Sequence, residues 1–110
     1  IFNRRYRRGV IKEGSLNIAC AKRQVYLDER PLPLTVKEYE LLLLLVGNKE
    51  RVMSKEELFN KIWGYDSESE MQTLTVHSRR LRQKIEEDPG NPRYILTVWG
   101  VGYKFAQVDR

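Results

Sequence analysis

One stretch of this sequence fits only a helix that is buried on nearly every side. Thr35 is followed three residues later by Glu38, the spacing of a capping box. The residues after it, "YELLLLLVGN", are apolar nearly all round, so this helix needs cover from the rest of the chain. Gly47 and Asn48 supply a stop signal at its C-terminal end. We therefore expect this helix to form the core of the domain.

Short alternating runs precede that helix. Apolar and polar residues alternate in "VI", "LNIA", "QVYL" and "PLPL", and the polar clusters "KEGS", "AKR" and "DER" separate these runs. Strands of this length with tight turns between them predict a small antiparallel sheet. Pro31 and Pro33 cannot donate to a sheet ladder, so the last strand is expected to be short or at an edge.

Two more helices and a hairpin are predicted downstream. Ser54 and Glu57 form a second capping box, with Met53 and Leu58 at staple positions, and begin a helix of about 8 residues. An acidic loop, "YDSESEMQ", leads into a third helix over residues 71–87, which "DPGNP" ends. The last stretch, "RYILTVWGVGYKF", alternates and contains two glycines, which predicts a β-hairpin.

The third helix has an apolar stripe and a cationic face. At about 100° per residue, the stripe predicted to be buried consists of Leu74, Ser78, Leu81 and Ile85. Val76 lies opposite this stripe, between Arg79 and Arg80. In the DNA major groove, Arg makes bidentate contacts to guanine and apolar groups meet the thymine methyl. The alternative is a solvated cationic face with one isolated surface valine, and the helix alone does not decide between them.

Composition and charge limit the class of protein. The net charge of +5 suits a polyanionic partner such as nucleic acid. The longest apolar run, Leu41 to Val46, is far short of the roughly 20 residues of a membrane span. A single cysteine, Cys20, excludes an internal disulfide and fits a reducing compartment, so we expect a cytoplasmic protein without a membrane partner. The chain starts at Ile1 without a Met, which predicts that it is a piece of a longer protein.

No constellation for catalysis stands out in the sequence. The one histidine, His77, and the one cysteine, Cys20, are far apart along the chain, and no glycine-rich phosphate loop precedes a helix. We therefore expect no enzymatic activity, no cofactor and no metal. A domain that binds protein or RNA is the remaining alternative. RNA is disfavoured because the major groove of an A-form helix does not admit side chains readily.

A short helix, a longer basic helix and a hairpin form a winged helix-turn-helix pattern. Four motifs occur in order over about Val10 to Phe105: "LPLTVKEYELLLLL", "VMSKEELFNKIWG", "TVHSRRLRQKIE" and "YILTVWGVGYKF". Together they resemble the C-terminal effector domain of OmpR/PhoB-type bacterial response regulators. The resemblance implies an α+β winged helix-turn-helix with a four-stranded N-terminal antiparallel sheet, three helices and a C-terminal β-hairpin wing. It assigns residues 9–106 to this domain, 1–8 to a basic linker remnant or tail, and 107–110 to a C-terminal tail.

The same resemblance implies partners. Such domains bind double-stranded DNA, usually direct repeats as head-to-tail dimers, and control transcription within two-component systems. A receiver domain would precede the chain, with a histidine kinase upstream of it. RNA polymerase is a further partner, implied for the acidic loop with Tyr65, Asp66, Glu68 and Glu70. A merely solvated loop is the alternative for those four residues.

Site residues follow from the resemblance position by position. The helix at 71–87 becomes a recognition helix for the major groove, and the hairpin at 94–105 becomes the wing. Base contacts are implied for Thr73, Thr75, Val76, His77 and Arg80. Phosphate contacts are implied for Arg79, Arg82, Lys84 and Thr97. The wing turn would hold Trp99, Gly100 and Gly102, with Tyr103 and Phe105 as packing residues.

Two residues depart from the family pattern. Trp99 stands where the family often has an arginine that enters the minor groove, and Gln72 stands where some members have arginine. A neutral indole cannot exploit the negative potential of a narrow minor groove, which predicts weaker minor-groove selectivity. Trp99 could instead lie against the sugar-phosphate backbone or pack on the wing.

Overall fold

The computed structural model describes residues 9–106, so the predicted linker 1–8 and tail 107–110 lie outside the described residues. The described part contains two antiparallel sheets and three α-helices. The first sheet is formed by β1 (Val10–Glu13), β2 (Leu16–Ala19), β3 (Gln24–Leu27) and β4 (Arg30–Leu32). The helices are α1 (Val36–Gly47), α2 (Lys55–Trp63) and α3 (Gln72–Ile85), and the second sheet contains β5 (Met53–Ser54), β6 (Ile95–Val98) and β7 (Gly102–Phe105). None of the helices between residues 9 and 106 has the length and apolar character that a membrane span requires.

The predicted N-terminal sheet is confirmed, with its four strands in sequence order. Ile11 pairs with Ile18, Ile18 with Val25, and Val25 with Leu32, so one row of side chains crosses all four strands. All four side chains are buried, because alternate residues of a strand point to one face. The three-residue β4 lies at the edge, as predicted from Pro31 and Pro33, although only Pro31 is within the strand.

The central helix, α1, is capped as predicted. The Thr35 hydroxyl accepts from the Glu38 N–H at 3.2 Å, and Glu38 Oε1 accepts from the Thr35 N–H at 3.0 Å. Its inner side chains, Leu41, Leu42 and Leu45, have almost no exposed area. The helix packs against α2, α3 and β7 and thus forms the core of the domain.

A third strand in the C-terminal sheet was not predicted. Met53 pairs with Tyr103 and Ser54 with Gly102, so the two residues of β5 extend the hairpin to a sheet ordered β5-β7-β6. Gly102 is needed for this approach, because a Cβ there would overlap the carbonyl oxygen of Met53. A two-residue strand has no periodicity that a sequence pattern could reveal.

Two predicted helix ends differ from the structure. The Ser54 hydroxyl accepts from the Glu57 N–H at 3.0 Å, but the Glu57 carboxylate pairs with Arg51 at 3.0 Å and so the predicted second capping box forms in one direction only. The third helix was predicted over 71–87 and ends at Ile85. The next residue, Glu86, has extended backbone angles because its carboxylate is engaged by the backbone that leads into the hairpin.

Candidate nucleic-acid interface

The buried stripe of α3 fixes which face the helix turns outward. Leu74, Ser78, Leu81 and Ile85 are all buried, as predicted. The one polar member, Ser78, donates its hydroxyl to the Leu74 carbonyl at 2.8 Å, which satisfies it inside the core. With these four side chains packed inward, the opposite face of α3 is directed to solvent.

The solvent face of α3 carries an apolar side chain between two arginines. Val76 is 44% exposed, and Arg79, Arg80 and Thr75 are exposed with it. Within the described residues, Arg79 and Arg80 take part in no hydrogen bond, ion pair or ring contact. Their guanidinium groups therefore keep all five N–H donors for an external partner.

Thr73 and His77 lie at the edge of that face and are half-buried. The Nδ1 of His77 is 2.9 Å from the Thr73 carbonyl oxygen. The imidazole ring meets the edge of Trp63, with ring centroids 5.1 Å apart, and Trp63 stacks on Phe59 at 5.3 Å. This stack fixes the position of His77 along the rim of the exposed face.

Lys84, a predicted phosphate contact, is bound within the protein. Its Nζ donates to the Pro33 carbonyl at 2.8 Å and to Glu38 Oε1 at 2.7 Å. Burial by itself raises the pKa of Glu38, which is 1% exposed. The hydrogen bonds from Lys84 and the Thr35 N–H, with the charges of Lys84 and His77, outweigh burial and lower that pKa below its ordinary value. Lys84 thus joins α3 to the start of α1, and its contact with phosphate stays a prediction.

Two other predicted phosphate contacts, Arg82 and Thr97, lie together. Arg82 donates from Nε to the Ile95 carbonyl at 3.0 Å and from Nη2 to the Thr97 hydroxyl at 2.6 Å. Its guanidinium also lies over the Tyr103 ring, 5.3 Å from the centroid. These bonds use two of the five N–H donors of the side chain, and the remaining donors can serve an outside acceptor.

The wing ends in an exposed apolar tip. The Val101 N–H donates to the Val98 carbonyl at 2.9 Å, and Gly100 has φ of +81°, which is the third position of a type II turn. Trp99 is 89% exposed and Val101 48%. The alternative that Trp99 packs on the wing is therefore wrong. Gly102, predicted within the turn, instead begins β7 and is buried.

The acidic loop between α2 and α3 is directed to solvent. Tyr65 is 86% exposed, and Asp66, Glu68 and Glu70 are exposed as well. Glu70 accepts a 2.8 Å hydrogen bond from the side chain of Gln72 at the start of α3. The geometry leaves the loop accessible, and its contact with polymerase stays a prediction.

Glu86 has a positioning role that the sequence did not reveal. Its buried carboxylate accepts from the backbone N–H groups of Arg93 at 2.8 Å, Tyr94 at 3.1 Å and Ile95 at 2.9 Å. These bonds hold the start of β6 against the end of α3. Because the partners are backbone groups seven to nine residues further along, no local pattern identifies them.

A comparison with known families decides what this fold belongs to. Residues 29–105 match the family described as "Transcriptional regulatory protein, C terminal". The chain belongs to this family, the OmpR/PhoB-type effector domains of response regulators. The predicted family and fold class are thereby confirmed. The family is one of DNA-binding transcription regulators and not a family of enzymes.

Individual relatives agree with this assignment. The regulatory protein VanR of Enterococcus faecium is 46% identical over 100 residues, which cover 89% of this chain and 43% of VanR. The Thermotoga maritima response regulator DrrB has a TM-score of 0.83 at 36% identity, covering 94% of this chain and 48% of DrrB. The DNA-binding domain of Klebsiella pneumoniae RstA, solved in complex with the RstA box, has a TM-score of 0.79 at 29% identity, covering 88% of this chain and 96% of that domain. The effector domain spans less than half the length of the curated relatives it matches.

Proposed function

We propose that this effector domain binds double-stranded DNA with sequence specificity and so controls transcription. In this proposal α3 enters the major groove and the β6–β7 hairpin is the wing. The observation that carries it is the exposed face of α3, where Val76 lies between Arg79 and Arg80, neither of which has a side-chain partner among residues 9–106. The RstA domain, a structural relative, was solved with a DNA box.

The residues of α3 that we assign to the interface contact either bases or phosphates. Arg80 is the principal base reader, since a free guanidinium can contact guanine bidentately. Thr75 and Val76 offer methyl groups to thymine, and Thr73 and His77 line the rim of the groove. Arg79 contacts phosphate, which positions the helix without reading sequence.

On the wing side of the interface, side chains contact the phosphates of the DNA backbone. Arg82 and Thr97 form a joint phosphate site, because the Thr97 hydroxyl accepts from Arg82 and keeps its own hydrogen to donate. Lys84, which is paired with Glu38, is a further cation at the far end of α3, next to the first helix turn of α1. Such contacts supply affinity that falls with salt concentration.

We extend this proposal to the whole protein. In it, a receiver domain controlled by a histidine kinase precedes the effector domain, and the protein binds direct repeats as a head-to-tail dimer. The exposed loop with Tyr65, Asp66, Glu68 and Glu70 is the surface that we assign to RNA polymerase. Its negative charge disfavours DNA and leaves it open to a protein partner.

Enrichment of bound duplexes from a random DNA pool tests the proposal. Near physiological salt, attraction to phosphate alone binds only weakly, so bound sequences report base reading. We expect a recurring motif, single or repeated in direct orientation, and weaker binding to duplex RNA of the same sequence. A bound pool that stays random at every salt concentration would contradict sequence-specific binding and favour a protein partner.

A further inference from the structure

A surface cleft separates α3 from the wing. Its volume is about 550 Å³, and we call it the wing cleft. The side chains that matter in its lining are Arg82, Asn91, Pro92, Leu96, Thr97 and Trp99. The lining thus contains the Arg82–Thr97 pair together with apolar side chains, among them Leu96 and Trp99.

The charge of the wing cleft differs from that of two other clefts on this surface. None of the described residues that line it is a carboxylate, and its one charged side chain is Arg82. In the cleft between the N-terminal sheet and the end of α3, three carboxylates lie alongside three cations, and in the cleft between α1 and α2 Glu40 lies alongside Lys61. The wing cleft is therefore suited to an anion.

Nearby carboxylates are held by backbone groups. Glu86 accepts from three backbone N–H groups of residues 93–95 and is buried. Asp88 accepts from the Gly90 N–H at 3.1 Å, just before the loop that borders the cleft. The positive charge that the cleft presents to an outside ligand is thus that of Arg82.

The wing turn brings Trp99 to the same cleft as this charge. Thr97 faces α3, since its hydroxyl accepts from Arg82. Trp99 follows two residues later, at the second position of the wing turn, just beyond the end of β6. Both residues line the wing cleft, and the indole is 89% exposed. An apolar surface without cover therefore adjoins a guanidinium and a hydroxyl.

We infer that the wing cleft binds one strand of duplex DNA, with a phosphate at Arg82 and Thr97 and the adjoining deoxyribose against Trp99. This inference rests on the proposed function. A DNA strand repeats anionic phosphate and largely apolar sugar, which is the pair of chemistries that the cleft presents. The cleft continues the candidate interface, since Arg82 belongs to α3 itself. Trp99 then adds affinity that depends on neither base sequence nor salt.

Hydroxyl-radical footprinting tests the sugar contact directly, because the radical cleaves DNA at exposed deoxyriboses. The probe is an end-labelled duplex carrying the motif recovered from the random pool, and the protein is the 110-residue chain. We expect Trp99→Ala to restore cleavage at the sugars that flank the major-groove contact, while the central protection remains. Trp99→Phe should keep most of the protection. Val52→Ala, at a residue 40% exposed, serves as the control for loss of an exposed apolar side chain.

Affinity measured over a range of salt gives a second readout. Trp99→Ala should weaken binding about tenfold, the effect of one partly buried large apolar side chain. The slope of log affinity against log salt should not change, since no charge is removed. Trp99→Arg should steepen that slope by about one unit. Far-UV circular dichroism would show that each variant is folded.

The outcomes separate this inference from the proposed function. No protection by the unsubstituted chain on any duplex would overturn DNA binding and the cleft assignment with it. A full footprint that Trp99→Ala leaves unchanged would overturn the cleft assignment alone. A flatter salt slope in Trp99→Ala would also overturn it, because it would mean that the substitution displaced a phosphate contact.

Discussion

The Nη2 of Arg82 donates to the Thr97 hydroxyl across 2.6 Å, and this bond joins α3 to the wing. A second connection lies one turn further along, where the Glu86 carboxylate accepts from the backbone of residues 93–95. Each engages groups that would be costly to leave buried without a partner. We conclude that α3 and the first wing strand are positioned as one unit.

Removal of this connection should affect stability and binding together. Arg82→Ala loses hydrogen bonds to the Ile95 carbonyl and Thr97 as well as the contact with Tyr103. We expect the free energy of unfolding to fall by about 1–3 kcal/mol. Affinity should fall for all DNA sequences, with a salt slope about one unit flatter. Urea unfolding and salt-titrated binding provide the two measurements.

Arg79→Ala is the matched control for stability, because Arg79 lies on the same helix and is exposed. Its unfolding free energy should stay within about 0.5 kcal/mol of the unsubstituted domain. If both variants unfolded at the same urea concentration, Arg82 would have no part in holding the wing.

The Glu38–Lys84 pair should make stability depend on pH. The pKa of Glu38 is below its ordinary value in the folded domain, so its contribution is present above the unfolded pKa and disappears as pH falls through the folded pKa. At neutral pH we expect Lys84→Ala to lower the unfolding free energy by about 1–3 kcal/mol, because Glu38 would stay buried without its cation. The difference in unfolding free energy between Lys84→Ala and the unsubstituted domain should become smaller once the pH falls below the usual pKa range of carboxyl groups.

Lys12→Ala is the control for this pair, because Lys12 is exposed on β1. It removes one positive charge that has no buried partner among residues 9–106. Unfolding curves measured from neutral to acidic pH decide the matter. A Lys84→Ala deficit that stays constant over the whole range would show that Glu38 does not supply the pH dependence.

The approach of β5 to β7 predicts a sharp difference between two glycines. Gly102→Ala places a Cβ against the Met53 carbonyl and 2.9 Å from the Ser54 Cα, so the third strand must shift. We expect a loss of more than about 2 kcal/mol in unfolding free energy. Gly47→Ala is the control: nothing lies within 4 Å of its Cβ position, and alanine at a helix end should be neutral or stabilising by up to about 1 kcal/mol. Equal thermal midpoints for the two variants would contradict this account of β5.

Features that depend on local patterns could be predicted from the sequence. The buried stripe of α3 follows from helical spacing, and the Thr35–Glu38 capping box follows from residues three apart. The edge position of β4 follows from Pro31, which cannot donate to a ladder. In each of these cases the residues that decide the structure are neighbours in the chain.

Features that depend on distant partners could not be predicted. The end of α3 at Ile85 is set by the backbone of residues 93–95, which captures the Glu86 carboxylate. The side chain of Lys84 reaches Glu38, 46 positions earlier in the chain, and its role in the core is invisible in a helical projection. In the candidate site, the projection identified Val76 and Arg80 as exposed but could not show that Arg82 already has internal partners.

Base selection is assigned to Arg80, and Arg79 again provides the matched control. Both arginines are exposed on α3 and adjacent in sequence. Arg80→Ala should relax preference at one base pair, at a cost of about 1–3 kcal/mol for the preferred base. Arg79→Ala should instead weaken all sequences alike.

The most direct test is selection from one random duplex pool by the unsubstituted domain, Arg80→Ala and Arg79→Ala in parallel. We expect a motif for the unsubstituted domain, the same motif with one degenerate position for Arg80→Ala, and an unchanged motif for Arg79→Ala. Identical motifs from all three proteins, or the same degeneracy from both variants, would contradict base reading by Arg80.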